Sequence, residues 1–184
     1  TLPVPGRHNV ENALAAIAAC RALEVPVAAM VAPLARFAGV ARRFQTIGVP
    51  RGVEVVDDFA HNPAKIAAAL AAAHGRAGRV LAVYQPHGYG PTRFLRRDFV
   101  ETFASALAPE DRLWLLEIYY AGGTAQRDFS AADIAAEIAA RGRSAEFAPA
   151  REWLAGRLAA EARAGDLVLI MGARDPSLSD FGRT

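Results

Sequence analysis

Apolar residues along this chain follow two alternating rhythms. Short, nearly continuous apolar runs at 44–49, 53–57, 80–84, 112–118, 145–148 and 166–171 read as strands. Between and before them lie longer Ala-rich stretches whose apolar positions return about every 3.6 residues, the helical period. These predict helices at 13–23, 27–37, from Pro63 to about 73, 94–107, from a Ser130 cap to about 140, and 151–164. Pro26 separates the first two helices, with Met30, Leu34 and Phe37 inward in the second. Asn9 is the expected N-cap of the first, and Asn12, three residues on, shares its face. Pro50-Arg51-Gly52, between 44–49 and 53–57, is good hairpin or turn chemistry. Phe99 and Phe103, four apart, mark an inner helix face, and Asp133 suits the first turn behind Ser130.

From Val53 onward strands and helices alternate without interruption. That order predicts an α/β fold, a mainly parallel Rossmann-like sheet with helices on both faces, preceded by a helical segment. Parallel strands deliver their carboxyl ends to one edge, where open α/β sheets bind ligands. Four polar clusters sit at such ends: Asp57 to Asn62, Gln85 to Arg93, Tyr119 to Thr124, and Gly172 to Asp175. The expected result is one crevice lined by His61, His87, Arg93, Tyr119 and Arg174.

Composition narrows the class. With 184 residues and 53% hydrophobic content the chain can build a real core. A formal net charge of +2 gives no nucleic-acid surface, and no apolar run reaches the roughly 20 residues of a membrane span. Cys20 is the single cysteine, which excludes an internal disulfide or thiolate zinc site and suits a reducing, cytoplasmic setting. Cys20 itself reads as a small core residue.

The chemistry at the strand ends is bounded by what is missing. Asp57, Asp58, His61 and His87 are metal-competent residue types, but their spacing fits no zinc signature. There is no Gly-x-Ser-x-Gly elbow, no Gly-x-Gly-x-x-Gly after the first strand, and no Gly-x-x-x-x-Gly-Lys-[Ser/Thr] loop. What remains is a crevice suited to anions, with arginine, histidine and carboxylates. Such a crevice serves part of a nucleotide site or the carboxylate of an amino acid. Arg42 and Arg43, just before the strand leading to Asp58, add to that expectation. A doubly wound interaction domain without chemistry is the bland alternative.

Four motifs in series carry a resemblance: Gly6-Arg7-His8-Asn9-Val10-Glu11-Asn12-Ala13, Arg42-Arg43-Phe44, Asp57-Asp58-Phe59-Ala60-His61-Asn62-Pro63 and Gln85-Pro86-His87. Together they resemble the C-terminal part of the Mur ligases. The resemblance implies residues 1–38 as the helical end of a central ATP-binding domain and 39–184 as a third, Rossmann-like domain. It implies an ATP-dependent carboxylate–amine ligase of peptidoglycan precursor synthesis that works through an acyl phosphate. ATP and Mg2+ would be used, with the metal ligands mainly in the remainder of the central domain, so the fragment alone is expected to be inactive. The implied partners are a UDP-sugar carboxylate, an amino acid and the other domains of the same enzyme, with no nucleic acid and no membrane.

By position, His8, Asn9 and Asn12 resemble the adenine contacts, Arg43 the phosphate-reaching arginine and Asp58 the ribose-binding carboxylate. His61 and His87 resemble residues lining the amino acid site. No residue is assigned a catalytic role. The chain departs from the family in four places. Phe59 stands where tyrosine is usual, Gly88 and Pro91 replace two arginines of the loop after Gln-Pro-His, and Lys65 stands where an acidic residue is common. Arg93, the one loop arginine left in register, and Arg174 are the candidates to hold the amino acid's carboxylate. A Mur-like ligase or nucleotide-binding module with a different acceptor is the second reading.

Overall fold

The computed structural model describes residues 2–4 and 6–183, with His8 described through its backbone alone. The chain opens with two helices, α1 (Arg7–Ala22) and α2 (Val27–Ala35). It then enters an α/β unit: β1 (Gln45–Gly48), a 3-10 turn (Pro50–Gly52), β2 (Glu54–Asp58), α3 (Pro63–His74), β3 (Val80–Gln85) and α4 (Tyr89–Ala106). β4 (Arg112–Leu116), α5 (Ala131–Ala140), β5 (Ala145–Ala148), α6 (Arg151–Glu161), β6 (Leu167–Gly172) and the short α7 (Leu178–Phe181) complete it.

The six strands form one sheet in the order β1-β2-β6-β3-β4-β5. Only β1 runs antiparallel, as the expected hairpin with β2, and the other pairings are parallel. β6 lies between β2 and β3. The crossovers β2→β3, β3→β4 and β4→β5 therefore run one way across the sheet, while β5→β6 returns. Right-handed crossovers then place α3, α4 and α5 on one face and α6 on the other.

The core confirms this division residue by residue. Val80, Ala82 and Tyr84 of β3 pack with Ile66 of α3, Phe99 and Phe103 of α4 and Ile134 of α5. The intervening Leu81 and Val83 face the other way, with Leu154 of α6 and Leu178 of α7. Strand side chains alternate faces, so a central strand clad on both sides must be apolar throughout; every residue of β6 is buried.

Caps set several boundaries. Asn62 accepts the Lys65 amide at 3.0 Å and Pro63 fills the first position of α3, where a missing N–H costs little. Ser130 and Asp133 form a reciprocal capping box on α5. Two expectations are corrected at helix starts. Gly6, at φ 94°, turns the chain into α1 before Arg7, so Asn9 lies inside the first turn instead of capping it. Gly88, at φ 69°, starts α4 at Tyr89, five residues before the expected Phe94. The two opening helices are also more exposed than their patterns suggest. Met30 is buried, but Phe37 is 41% exposed and Cys20 is only half buried. No helix among the described residues is long and apolar enough to cross a membrane.

Candidate functional site

Two neighbouring features share the carboxyl edge of the sheet. The first is a cleft of about 760 Å³ between the α1–α2 pair and the end of β2 with α3. Asn9 and Asn12, on one face of α1, line one wall. Arg43, Asp58 and Lys65 line the opposite side, and Phe37 and Val40 supply apolar surface. A cavity of this size, mostly apolar with a few convergent polar groups, has the dimensions of a small-molecule site. Of the five residues expected at the nucleotide, four meet here; the side chain of His8 lies outside the described residues.

The strap that presents Arg43 is unusual. Its two neighbours, Arg42 (φ 59°) and Phe44 (φ 50°), both adopt the left-handed region that non-glycine residues rarely occupy. Surrounding contacts hold them there. The Asp58 carboxylate accepts the Phe44 amide at 2.7 Å through one oxygen and the Ala60 amide at 2.7 Å through the other. The Phe59 amide donates to the Arg42 carbonyl at 2.7 Å. The Arg42 guanidinium donates to the Gly172 carbonyl at 2.7 Å and the Ala173 carbonyl at 3.2 Å, and its Nε lies 3.4 Å from Asp57. Both guanidiniums stand near the Phe59 ring, Arg42 at 5.0 Å and Arg43 at 5.5 Å. Adjacent in sequence, the two arginines thus part: Arg42 fastens the strap to the end of β6, while Arg43 faces the cleft.

The second feature is a histidine pair at the strand ends. His61 and His87 stack edge-on with ring centroids 5.5 Å apart. His61 Nδ1 is 2.9 Å from the Phe59 carbonyl, whereas His87 Nδ1 is buried without a hydrogen-bond partner. The His87 backbone bridges to Tyr119, with the Tyr119 amide donating to the Pro86 carbonyl at 2.8 Å. Burial pushes the His87 pKa down, and the His61 and Arg174 charges push it further the same way. The expected crevice therefore brings together His61, His87, Tyr119 and Arg174.

Arg93 is set apart from this group. It is exposed near the start of α4, paired with Asp128, donates to the Gln126 carbonyl at 3.4 Å and lies 4.9 Å from the Phe129 ring.

Two supporting groups are not evident from sequence pattern. Ser179 donates to Asp57 at 2.5 Å. Arg151, at the start of α6, donates to Ser177 Oγ at 2.8 Å and to Gln85 Oε1 at 3.3 Å, and pairs with Asp175. These are long-range contacts, up to 122 residues apart, with no local periodicity to announce them. Among the described residues no three or more His, Cys, Asp or Glu side chains are grouped to hold a metal ion.

Comparison with known proteins bears on the family and the fold. Residues 42–174 match the family model described as Mur ligase, glutamate ligase domain. The UDP-N-acetylmuramate–L-alanine ligase of Agrobacterium fabrum is 44% identical over 174 residues, covering 94% of this chain and 36% of that protein. The Pelotomaculum thermopropionicum enzyme of the same name is 41% identical over 95% of this chain and 37% of its own length. The crystal structure of UDP-N-acetylmuramate-alanine ligase from Thermotoga maritima superposes with a TM-score of 0.76 at 27% identity, covering 99% of this chain and 37% of that one. The chain thus spans a little over a third of the length of these relatives. On sequence and on fold together, the chain belongs to the Mur ligase family, with its glutamate ligase domain at residues 42–174.

Proposed function

We propose that this chain is the C-terminal third of an ATP-dependent UDP-N-acetylmuramate–L-alanine ligase acting in the cytoplasm in peptidoglycan precursor synthesis. The observation that carries the reading is spatial. Asn9, Asn12, Arg43 and Asp58, distant in sequence, line one cleft of nucleotide size, and three residues beyond Asp58 the His61–His87 pair begins.

The residues fit the roles asked of them. The Asn9 and Asn12 amides each offer a donor and an acceptor, the complement of an adenine edge. Asp58 faces the ribose and Arg43 the phosphates, where a planar guanidinium binds bidentately. His8 belongs to the adenine end by its place in the motif. Residues 1–38 are the close of the central domain and 39–184 the third domain, and the cleft between them is where ATP is enclosed. The magnesium ligands and the P-loop come from the rest of the polypeptide. ATP phosphorylates the carboxylate of the UDP-sugar, the amine of the incoming amino acid attacks the acyl phosphate, and phosphate departs from the tetrahedral intermediate. This chain positions the reactants and neutralises their charge, and those two effects carry most of the acceleration in such transfers.

The test uses the full-length enzyme, with phosphate release as readout and UDP-N-acetylmuramate, ATP and each amino acid as substrates. L-Alanine-dependent release is expected. Asn12→Ala, an exposed position on α1, should raise KM for ATP about tenfold, the loss of one good hydrogen bond. The 184-residue chain alone should release none. Absence of release with every amino acid would remove the ligase reading.

One observation favours a second reading, a Mur-like ligase with another acceptor. The usual loop arginines are absent at Gly88 and Pro91, and Arg93 is engaged by Asp128. The same panel of amino acids separates the two.

A further inference from the structure

The parallel register brings the ends of three strands to one level of the rim. Met171 of β6 is paired with Asp58 of β2 on one side and Tyr84 of β3 on the other. Arg174, His61 and His87 each lie three residues beyond those positions. Arg174 therefore follows the middle strand, between the two strands whose ends lead to the histidines.

The charges around this point are uneven. Four carboxylates near the rim already have partners. Asp57 is engaged by Ser179 and Arg42, and Asp58 by two amides. Asp175 is held by Arg151 and Ser177. Glu117 accepts the amides of Ile118 at 2.8 Å and Ala131 at 3.1 Å. Arg174 is exposed and makes no hydrogen bond or ion pair among the described residues. Its charge is nevertheless felt at His87, after burial and the His61 charge. The other candidate cation, Arg93, is turned to the 126–129 segment by Asp128, the Gln126 carbonyl and the Phe129 ring. Nothing else in the first turns of α4 before it is charged.

We infer that Arg174 holds the carboxylate of the incoming amino acid, and that Arg93 does not. The inference rests on the ligase reading above and specifies one contact within it. A zwitterionic α-amino acid completes the rim chemically. Its carboxylate answers the uncommitted guanidinium of Arg174, which stands exposed beside the His61–His87 pair. Charge-assisted contacts of this kind are the stronger class of hydrogen bond, and the planar guanidinium fits a carboxylate bidentately.

The test compares full-length wild type with Arg174→Ala, Arg174→Lys and Arg93→Ala. KM for L-alanine, KM for ATP and kcat are followed by phosphate release. Arg174→Ala should raise KM for L-alanine roughly 10- to 100-fold, the range for losing a hydrogen bond to a charged group, with KM for ATP unchanged. Arg174→Lys should recover part of that loss, and Arg93→Ala should change KM for L-alanine less than about threefold. L-Alaninamide, which has no carboxylate, should be used equally by wild type and Arg174→Ala, an equality that a merely structural role for Arg174 would not produce. An unchanged L-alanine KM in Arg174→Ala, or a large rise in Arg93→Ala, in an otherwise active enzyme would overturn this inference and leave the ligase reading intact. A wild type that turns over no amino acid would remove both.

Discussion

The Asp58 carboxylate accepts the backbone N–H of Phe44 at 2.7 Å across fourteen positions of sequence, and so fixes the strap against the end of β2. Its other oxygen takes the Ala60 amide, and the residue is only 8% exposed. Asp58→Ala strands two amides in a buried setting and should cost about 2–4 kcal/mol. Asp58→Asn keeps one accepting oxygen and should cost about half as much. Urea midpoints of the 184-residue chain check the order; equal stability of all three proteins would refute the anchoring role.

Arg42 supports the same strap from the other side. Its removal leaves Asp57, 1% exposed, with Ser179 as its remaining partner. It also strands the carbonyls of Gly172 and Ala173. Arg42→Ala should therefore lower stability by about 3–5 kcal/mol, the scale for breaking a buried ion pair by removing one member. A double variant, Arg42→Ala with Asp57→Asn, should be less destabilised than Arg42→Ala alone. Chemical denaturation of the two measures the difference, and an additive loss would contradict it.

Gly172 closes β6 where there is no room for a side chain. A Cβ there would meet Leu178 Cδ2 at 2.6 Å and the Gln85 carbonyl at 3.2 Å. The leucine can rotate away, but the carbonyl belongs to the neighbouring strand backbone. Gly172→Ala should lower stability by about 1–3 kcal/mol, as overpacking does, and should disturb the Arg42 contacts to Gly172 and Ala173. A thermal midpoint equal to wild type would show that the strand ends yield more easily than the geometry implies.

His87 gives the protein an acid-sensitive group. Burial, the His61 charge and the Arg174 charge hold its pKa below the ordinary histidine value. The unfolded chain then takes up a proton before the folded one. Stability from this group is complete above the unfolded value, near 6.5, and falls as pH drops below it. Histidine NMR titration should place His87 below an unfolded reference, and Arg174→Ala should move it up. A downward or absent shift in that variant would contradict the proximity of the two groups.

Pattern alone reached the sheet, the hairpin and the rim because each depends on local periodicity. Uninterrupted apolar runs such as β6 announce a strand clad on both faces, and parallel order carries His61, His87 and Arg174 to one edge without further information. The start of α4 was hidden because Gly88, Gly90 and Pro91 read as loop residues. In the folded chain Gly88 makes the turn, and Pro91 sits among the first-turn residues whose N–H groups have no helical partner. Arg42 and Arg43 are indistinguishable in sequence; the left-handed backbone at Arg42 and Phe44 separates them. The Arg93–Asp128 and Arg151–Asp175 pairs join distant segments through side chains alone, so no spacing rule could have found them.

The place of β6 in the middle of the sheet has a consequence for biosynthesis. It is the last of the six strands to leave the ribosome, yet β2 and β3 have no direct pairing with each other and meet only through it. A chain that ends before Leu167 lacks the strand through which β2 and β3 are joined. The rim at the ends of β2 and β3 is therefore complete only once β6, the last strand in sequence, has joined the sheet.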